Sequence, residues 1–312
     1  MEQCSLTDSP SPASTTHTSQ CPVCGGPIHA WKTVNKGAGD YHFDRCTVCG
    51  YCFVNPRPCR EVLAEAYAVQ GHGHETMRKA SDGLAAVLDR ERAHPNSTLD
   101  ARRIIASASQ FLGADGRRRF LDVGCGYGFF SREALDRGFS VVPLEMASTE
   151  RAIAAELLGL EPVPASFENY ECRSGEFDVV LMSHVLEHVY DVNEWIEKAA
   201  KLLRPNGVCV VALPNFGSII RRMLGSGDPF ICPPMHLNHF DSRNLSRLMA
   251  RHGFVVRKVE WASRIPTTAF SRRLPSLLRP AAALAGGLTS AGLSVCDALG
   301  IGMTTTVYAV RQ

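Results

Sequence analysis

Short apolar runs alternate with amphipathic stretches along the last two thirds of the chain. The runs are RFLDVG (119–124), SVVPLE (140–145), a short EPVPA (161–165), FDVVLMS (177–183), GVCVVALP (207–214), FVVRKVEW (254–261) and TTTVYAV (304–310). Between them, FSREALDRG, STERAIAAELLGL, VNEWIEKAAKLL and SRNLSRLMARHG place apolar residues near the helical period, and each stops near a glycine or a proline. Strand and helix in alternation predict an α/β fold, a doubly wound, Rossmann-like parallel sheet of seven strands.

The preceding third has a different texture. Residues 61–112 read as a helical linker or cap: EVLAEAYA opens one helix, GHGH at 71–74 is a loop, and TLDARRIIASASQFL forms a second helix. Ser97 or Thr98 would cap that helix and Gly113 would end it. Residues 21–60 are rich in cysteines and turns and close on Asn55-Pro56-Arg57-Pro58. Residues 1–20 are polar, rich in Ser, Thr and Pro, and read as a disordered tail with no apolar signal segment. The expected domains are thus a tail, 1–20, a cysteine module, 21–60, the helical linker, 61–112, and the α/β domain, 113–312.

Composition bounds the partners. Apolar residues make up 45% of the 312, charged residues 21%, and the formal charge is +2, too small to suggest a polyanion partner. Arg117-Arg118-Arg119 is the densest basic run, and its place before an apolar strand makes it a solvated strand entrance rather than a nucleic-acid contact. Twelve cysteines grouped in short motifs, with no signal peptide, predict a reducing, cytoplasmic setting in which paired cysteines hold metal. Residues 274–303 are apolar and rich in small residues. Arg279, Pro280, Gly286-Gly287 and Asp297 make them a poor membrane span, so they are expected as a helical insertion (262–303) that is buried, covers substrate or makes a peripheral membrane contact.

Candidate chemistry centres on Phe120–Phe129, FLDVGCGYGF, where a buried strand runs into Gly124, Gly126 and Gly128 and then a helix. Glycines there let the backbone turn tightly and approach a ligand. The spacing is G-x-G-x-G with no following Lys-Ser/Thr, so phosphate cradling of the P-loop kind is disfavoured. Asp122 would be unfavourable beside a pyrophosphate, and Glu145, ending the next strand, is placed to accept hydrogen bonds from ribose hydroxyls. A cofactor with a ribose, no phosphate and a cationic amino-acid end fits all three features.

LDVGCGYGFF resembles the first motif of class I S-adenosylmethionine-dependent methyltransferases, and FDVVLMSHVLEHV with LLRPNGVCVVALPN resembles their fourth and fifth strand motifs. PPMHLNHFDSRNLSRLMARHGF is similar to the segment that follows in a bacterial subgroup related to ubiquinone-pathway and sugar or polysaccharide methyltransferases. An N-terminal ribbon ending in a phrase like YCFVNPRP belongs to the same resemblance. It implies an enzyme with S-adenosylmethionine as cofactor. Asp122, Gly124, Cys125 and Gly126 would line the methionine end. Glu145 would hold the ribose and Met146 the adenine, Ser166 and Phe167 would lie near the adenine edge, and His184 would face the sulfonium. Gly128 either lines the loop or serves helix–strand packing, and Met146 has ordinary core as its alternative.

Methyl transfer is an in-line displacement, so alignment supplies much of the catalysis, and a general base adds about 10²–10⁴-fold for a hydroxyl acceptor. His188 is the first candidate base, with structure or helix capping as its other reading, and Glu187 is an orienting or solvated residue or takes a chemical part. His236, in a Pro-rich loop with His239, would contact acceptor or act as base; Asn215 could contact acceptor too. Metal at His236 and His239 is disfavoured because no acidic trio accompanies them.

Cys21-x-x-Cys24-Gly and Cys46-x-x-Cys49-Gly form two knuckles whose four sulfurs predict a closed structural Zn2+ site in a small zinc ribbon. An iron–sulfur run through Cys46, Cys49 and Cys52 fails on the spacing to Cys59. The expected function is transfer of a methyl group to a small-molecule, sugar or lipid-linked glycan acceptor at oxygen. The alternatives are carbon methylation of a sugar or polyketide-like acceptor and a non-catalytic zinc-ribbon nucleic-acid-binding protein.

Overall fold

The computed structural model describes residues 16–36, 39–59, 63, 83–113, 118–264 and 291–312. Its main sheet is built from β4 (Arg119–Val123), β5 (Ser140–Leu144), β6 (Phe177–Ser183), β7 (Leu203–Pro214), β9 (Phe254–Ala262) and β10 (Thr304–Arg311), in the order β5-β4-β6-β7-β10-β9. The first four are parallel and β10 is antiparallel to both neighbours. Six of the seven residues of β6 are buried, the continuous apolar run expected of a parallel strand covered on both faces. Alternation then sorts the core into two layers. Leu121, Val180 and Cys209 are register partners in one apolar cluster, and Phe120, Val179 and Val208 are partners in the other.

Helices α1 (Leu84–Ala93), α2 (Asn96–Ser109), α3 (Phe129–Asp136), α4 (Ser148–Leu158), α5 (Val192–Leu202), α6 (Ile219–Leu224) and α7 (Ser242–Arg251) precede or connect these strands. Their starts are chemically marked. Asp191 caps α5 by accepting from the backbone N–H groups of Asn193 and Glu194. Asp241 and Asn244 cap each other reciprocally at the start of α7.

The α/β class is as expected, with three differences of detail. The sheet has six strands among the described residues: the expected strand at 161–165 is a single bridge between Val163 and Leu144. Pro162 and Pro164 lack the N–H groups a ladder needs, so only Val163 pairs on that edge. Helix α2 starts at Asn96, with Pro95 rather than Ser97 or Thr98 in the cap position. β7 begins at Leu203 rather than at Gly207. Of the expected disordered tail, 1–20, residues 1–15 lie outside the described residues, as do all of EVLAEAYA but Leu63, the GHGH loop and residues 265–290 of the expected insertion; 291–298 are helical. Residues 16–20 are ordered instead, Thr16 bridging to Arg57 and Gln20 to Pro27. Among the described residues no helix is long and apolar enough to cross a membrane.

The N-terminal module is a second sheet, β1 (Ile28–Lys36), β2 (Gly39–Cys46) and β3 (Cys52–Val54), antiparallel throughout. Its fourth strand comes from far along the chain: β8 (Asn238–His239) pairs with β3. Module and α/β domain also share a core in which Phe43, Val54, Phe216, Ile231 and Leu237 are buried together.

Candidate functional site

Strand order reverses at β4, whose neighbours β5 and β6 are reached by connections in opposite directions. Open α/β sheets bind ligands at the carboxyl ends of the strands there. The chain leaves β4 through Gly124, Gly126 and Gly128, each with positive φ (67°, 54° and 86°). Two of them do different work. A Cβ on Gly126 would meet nothing within 4 Å, so its glycine serves the turn. A Cβ on Gly128 would sit 3.2 Å from Leu158 and 3.3 Å from Ala154, so glycine there lets the loop pack closely on α4.

Glu145 ties this loop to the end of β5. One carboxylate oxygen accepts from Gly126 N at 2.9 Å and the other from Ala147 N at 2.8 Å. Each oxygen keeps a second lone pair for a ligand hydroxyl. Asp122 is buried beneath the loop and accepts from Ser131 Oγ at 2.6 Å. Burial pushes its carboxyl up to about 7, against the hydrogen bond from Ser131. A carboxyl whose pKa is higher in the fold than its ordinary 3.8 takes up a proton on folding, so it opposes folding increasingly as pH rises from about 4 to about 7. Asp122→Asn is therefore expected to raise the melting temperature at pH 8 and leave it nearly unchanged at pH 4, read by thermal unfolding at the two values.

The other candidates around the loop divide. The Cys125 side chain is buried with Ala154 and Leu158, and burial pushes its thiol up, which leaves its backbone as the ligand-facing part. Met146 is 56% exposed, so it is not core. Phe167 is buried against Trp195, ring centroids 5.0 Å apart, and Ser166 closes a turn by accepting from Asn169 N and Tyr170 N. His184 ends β6 at φ 55°, with its side chain half-exposed and Nδ1 3.3 Å from a Glu187 oxygen.

Beyond β6 the chain brings three donors together. One atom each from Glu187, His188 and His236 lie within 4.8 Å of one another. Glu187 is 2% exposed, and neither carboxylate oxygen has a well-aligned hydrogen bond. Burial would raise its pKa, but the neighbouring imidazoles of His184, His188 and His236 hold it down at about 2. His188 Nδ1 donates to Met235 O at 2.9 Å and His236 Nδ1 donates to Phe230 O at 2.7 Å. A carbonyl only accepts, so Nδ1 of each ring carries a proton. A buried anion grouped with two imidazoles can take a proton from an acceptor or hold a divalent cation, and the carbonyl contacts match the outer support usual for ligating histidines.

His239 is not part of that trio: burial holds its imidazole down at about 3, and it packs between Phe43 and Phe216. Among the described residues His236 is grouped with Glu187 and His188 rather than with His239. Asn215 donates to Gly302 O, just before β10, and accepts from Gly217 N in its own loop. The glycine loop and the trio are neighbours, because a Cβ on Gly124 would lie 3.1 Å from Val185, two residues before Glu187.

The four knuckle cysteines also converge. Sγ atoms of Cys21 and Cys49 lie 3.6 Å apart, those of Cys24 and Cys46 lie 3.4 Å apart, and all four are within 4.8 Å. Four sulfurs at about 2.3 Å from a tetrahedral ion would be about 3.8 Å apart, so the donor set fits zinc. Burial opposes ionisation of Cys46, but the N–H groups of Cys49 and Val48 bring its thiol down to about 7. Cys52 is outside the cluster, buried in the shared core, with its thiol pushed up by burial.

A family model described as "Methyltransferase domain" matches residues 88–259, more than half of the 312-residue chain. The chain is 38% identical over 104 residues to a ubiquinone biosynthesis O-methyltransferase of Caulobacter sp. (strain K31), and 34% identical over 104 residues to that of Rhodopseudomonas palustris (strain HaA2). These matches cover 31% of this chain and only 41% and 40% of the two relatives. A crystal structure of a SAM dependent methyltransferase from Archaeoglobus fulgidus superposes with a TM-score of 0.51 at 18% identity, covering 72% of this chain and 99% of that one.

Proposed function

Because the chain belongs to the methyltransferase-domain family, we propose that it moves the methyl group of S-adenosylmethionine to a hydroxyl oxygen of a small organic acceptor. The observation that carries this reading is the adjacency of two half-sites at the ends of β4 and β6. The glycine loop with Glu145 suits the ribose and amino-acid end of the cofactor. The Glu187–His188–His236 trio suits removal of the acceptor proton. Oxygen methylation is also the chemistry named for the relatives in ubiquinone biosynthesis. Incubation with methyl-labelled S-adenosylmethionine and a small-molecule cell extract is expected to place label in hydroxylated compounds, released only by ether cleavage. Label on carbon would refute the oxygen reading.

The four cysteines hold zinc in this reading. Purification without chelator is expected to return about one equivalent, fixed by tetrahedral four-sulfur ligation. Less than half an equivalent, or an unchanged content in Cys49→Ser, would contradict it. A second reading, favoured by the buried Glu187 carboxylate with no well-aligned hydrogen bond to either oxygen, adds a divalent cation at the trio. The free Mn2+ resonance is then expected to disappear up to one equivalent in zinc-loaded protein and to persist in Glu187→Gln; retention by the variant would exclude that site.

A further inference from the structure

The module and the α/β domain meet in a buried polar knot that the transfer chemistry alone does not call for. Asn238 is 1% exposed and uses its whole amide. Its Nδ2 donates to Val189 O at 2.7 Å and Leu186 O at 3.1 Å, with a longer contact of 3.4 Å to Glu187 O. Its Oδ1 accepts from Tyr51 OH at 2.5 Å and from Arg57 Nη2 at 2.8 Å. The carbonyls it holds are those of the turn that carries Glu187 and His188, while both groups it accepts from belong to the cysteine module.

The knot continues in both directions. Toward the turn, Leu237 N and Asn238 N donate to Glu187 O at 2.9 and 3.0 Å, and Arg57 Nη1 donates to Val189 O at 3.3 Å. Toward the knuckles, Cys46 N donates to Tyr51 O at 2.8 Å, so the residue that holds Asn238 is bonded directly to a sulfur-bearing residue of the cluster. Tyr51 is wholly buried and stacks on Phe53, 5.3 Å between centroids. Arg57, 5% exposed, lies over the rings of Phe53 and Tyr190. A buried guanidinium is costly without partners, and here carbonyl and amide oxygens with aromatic faces supply them instead of a carboxylate. None of these hydrogen bonds goes to the glycine loop or to Glu145.

We infer that the cysteine module is a working part of the acceptor site. In it Asn238, gripped by Tyr51 and Arg57, is a positioning residue that sets where Glu187 and His188 stand, and filling of the four cysteines keeps that grip. The inference rests on reading Glu187, His188 and His236 as the acceptor side. Buried polar networks specify one geometry because each member loses its partners in any other. The path Cys46–Tyr51–Asn238–Leu186/Val189 runs through such a network without a gap. A module used only as a brace would need its apolar contacts and the β3–β8 pairing, not an amide divided between two elements.

The test uses the full-length, zinc-loaded protein, with ring nitrogens labelled at histidine and amide exchange followed by segment. Asn238→Asp keeps the acceptor facing Tyr51 and Arg57 and removes the donor facing the 186–189 carbonyls. It is expected to move the ring-nitrogen resonances of His188 and His236 while those of His252 stay in place. Amides in 185–190 are expected to exchange about tenfold faster, the size of losing one or two buried hydrogen bonds, with β4 and β6 unchanged. Tyr51→Phe and removal of zinc by a chelator are expected to act on the same rings and the same segment. Calorimetric S-adenosylmethionine affinity should stay within about twofold in Asn238→Asp, which separates this result from failure of the cofactor reading. Unmoved His188 and His236 resonances in Asn238→Asp and Tyr51→Phe would overturn the inference. So would acceleration spread evenly over β4, β6 and the loop, the mark of general destabilisation. If Asn238→Asp does not fold, Tyr51→Phe, which deletes one hydroxyl, decides.

Discussion

Glu145→Ala is expected to weaken S-adenosylmethionine binding at least about 100-fold while the protein stays folded. Two losses add. Hydrogen bonds to a charged group contribute about 1.5–3 kcal/mol each, so loss of the carboxylate that would receive the ribose hydroxyls costs about 10–100-fold in affinity. The same carboxylate holds Gly126 N and Ala147 N, so its removal also releases the glycine loop from the end of β5. Glu145→Gln is a sharper control, because its amide nitrogen would face one of those two N–H donors. Calorimetry on both variants reads the effect, and binding within threefold of the parent in Glu145→Ala would remove Glu145 from the cofactor site.

The second large effect is on turnover. Glu187→Gln and His188→Ala are each expected to lower methyl transfer by about 10²–10⁴-fold, the range for loss of a general base, with cofactor affinity nearly unchanged. The double variant should lose little more than either single one, since groups that act as a unit are not additive. The Glu187 carboxyl, held at about 2 against an ordinary value of 4.5, is ionised at every pH where the protein works. Its ionisation contributes stability above about pH 4.5 that is lost as pH falls through about 2. An acid limb of the rate profile near neutrality therefore does not belong to Glu187. A collapse of cofactor affinity in His188→Ala would instead put that residue on the cofactor side.

Much of this was legible along the chain for definite physical reasons. A parallel strand buried on both faces reads as an unbroken apolar run, which made β6 and β7 plain. G-x-G-x-G with Asp122 and Glu145 is a local pattern whose geometry is fixed by neighbours in sequence, and so is each Cys-x-x-Cys knuckle. The resemblance to class I methyltransferases, first carried by LDVGCGYGFF and FDVVLMSHVLEHV, agrees with the family match over 88–259.

What escaped was set by distant pairings. Glu187 and His188 meet His236 only because the chain returns through the 230–239 segment, and Met235 and Phe230 supply the carbonyls that orient both rings. His239, three residues from His236 in the same loop, faces the shared core instead. Asn238 carried no signal, since its value comes from Tyr51 and Arg57, more than 180 residues earlier. A hint did exist in the Pro162-Val163-Pro164 triplet, whose missing N–H groups forbid the strand its apolar residues suggest.

The central claim is that the glycine loop and Glu145 form an S-adenosylmethionine site beside the trio of Glu187, His188 and His236. Isothermal titration of zinc-loaded protein with S-adenosylmethionine tests it most directly. The prediction is one saturable site per chain, retained in Glu187→Gln and lost in Glu145→Ala. Absence of heat at millimolar cofactor, or equal binding by Glu145→Ala, would contradict it.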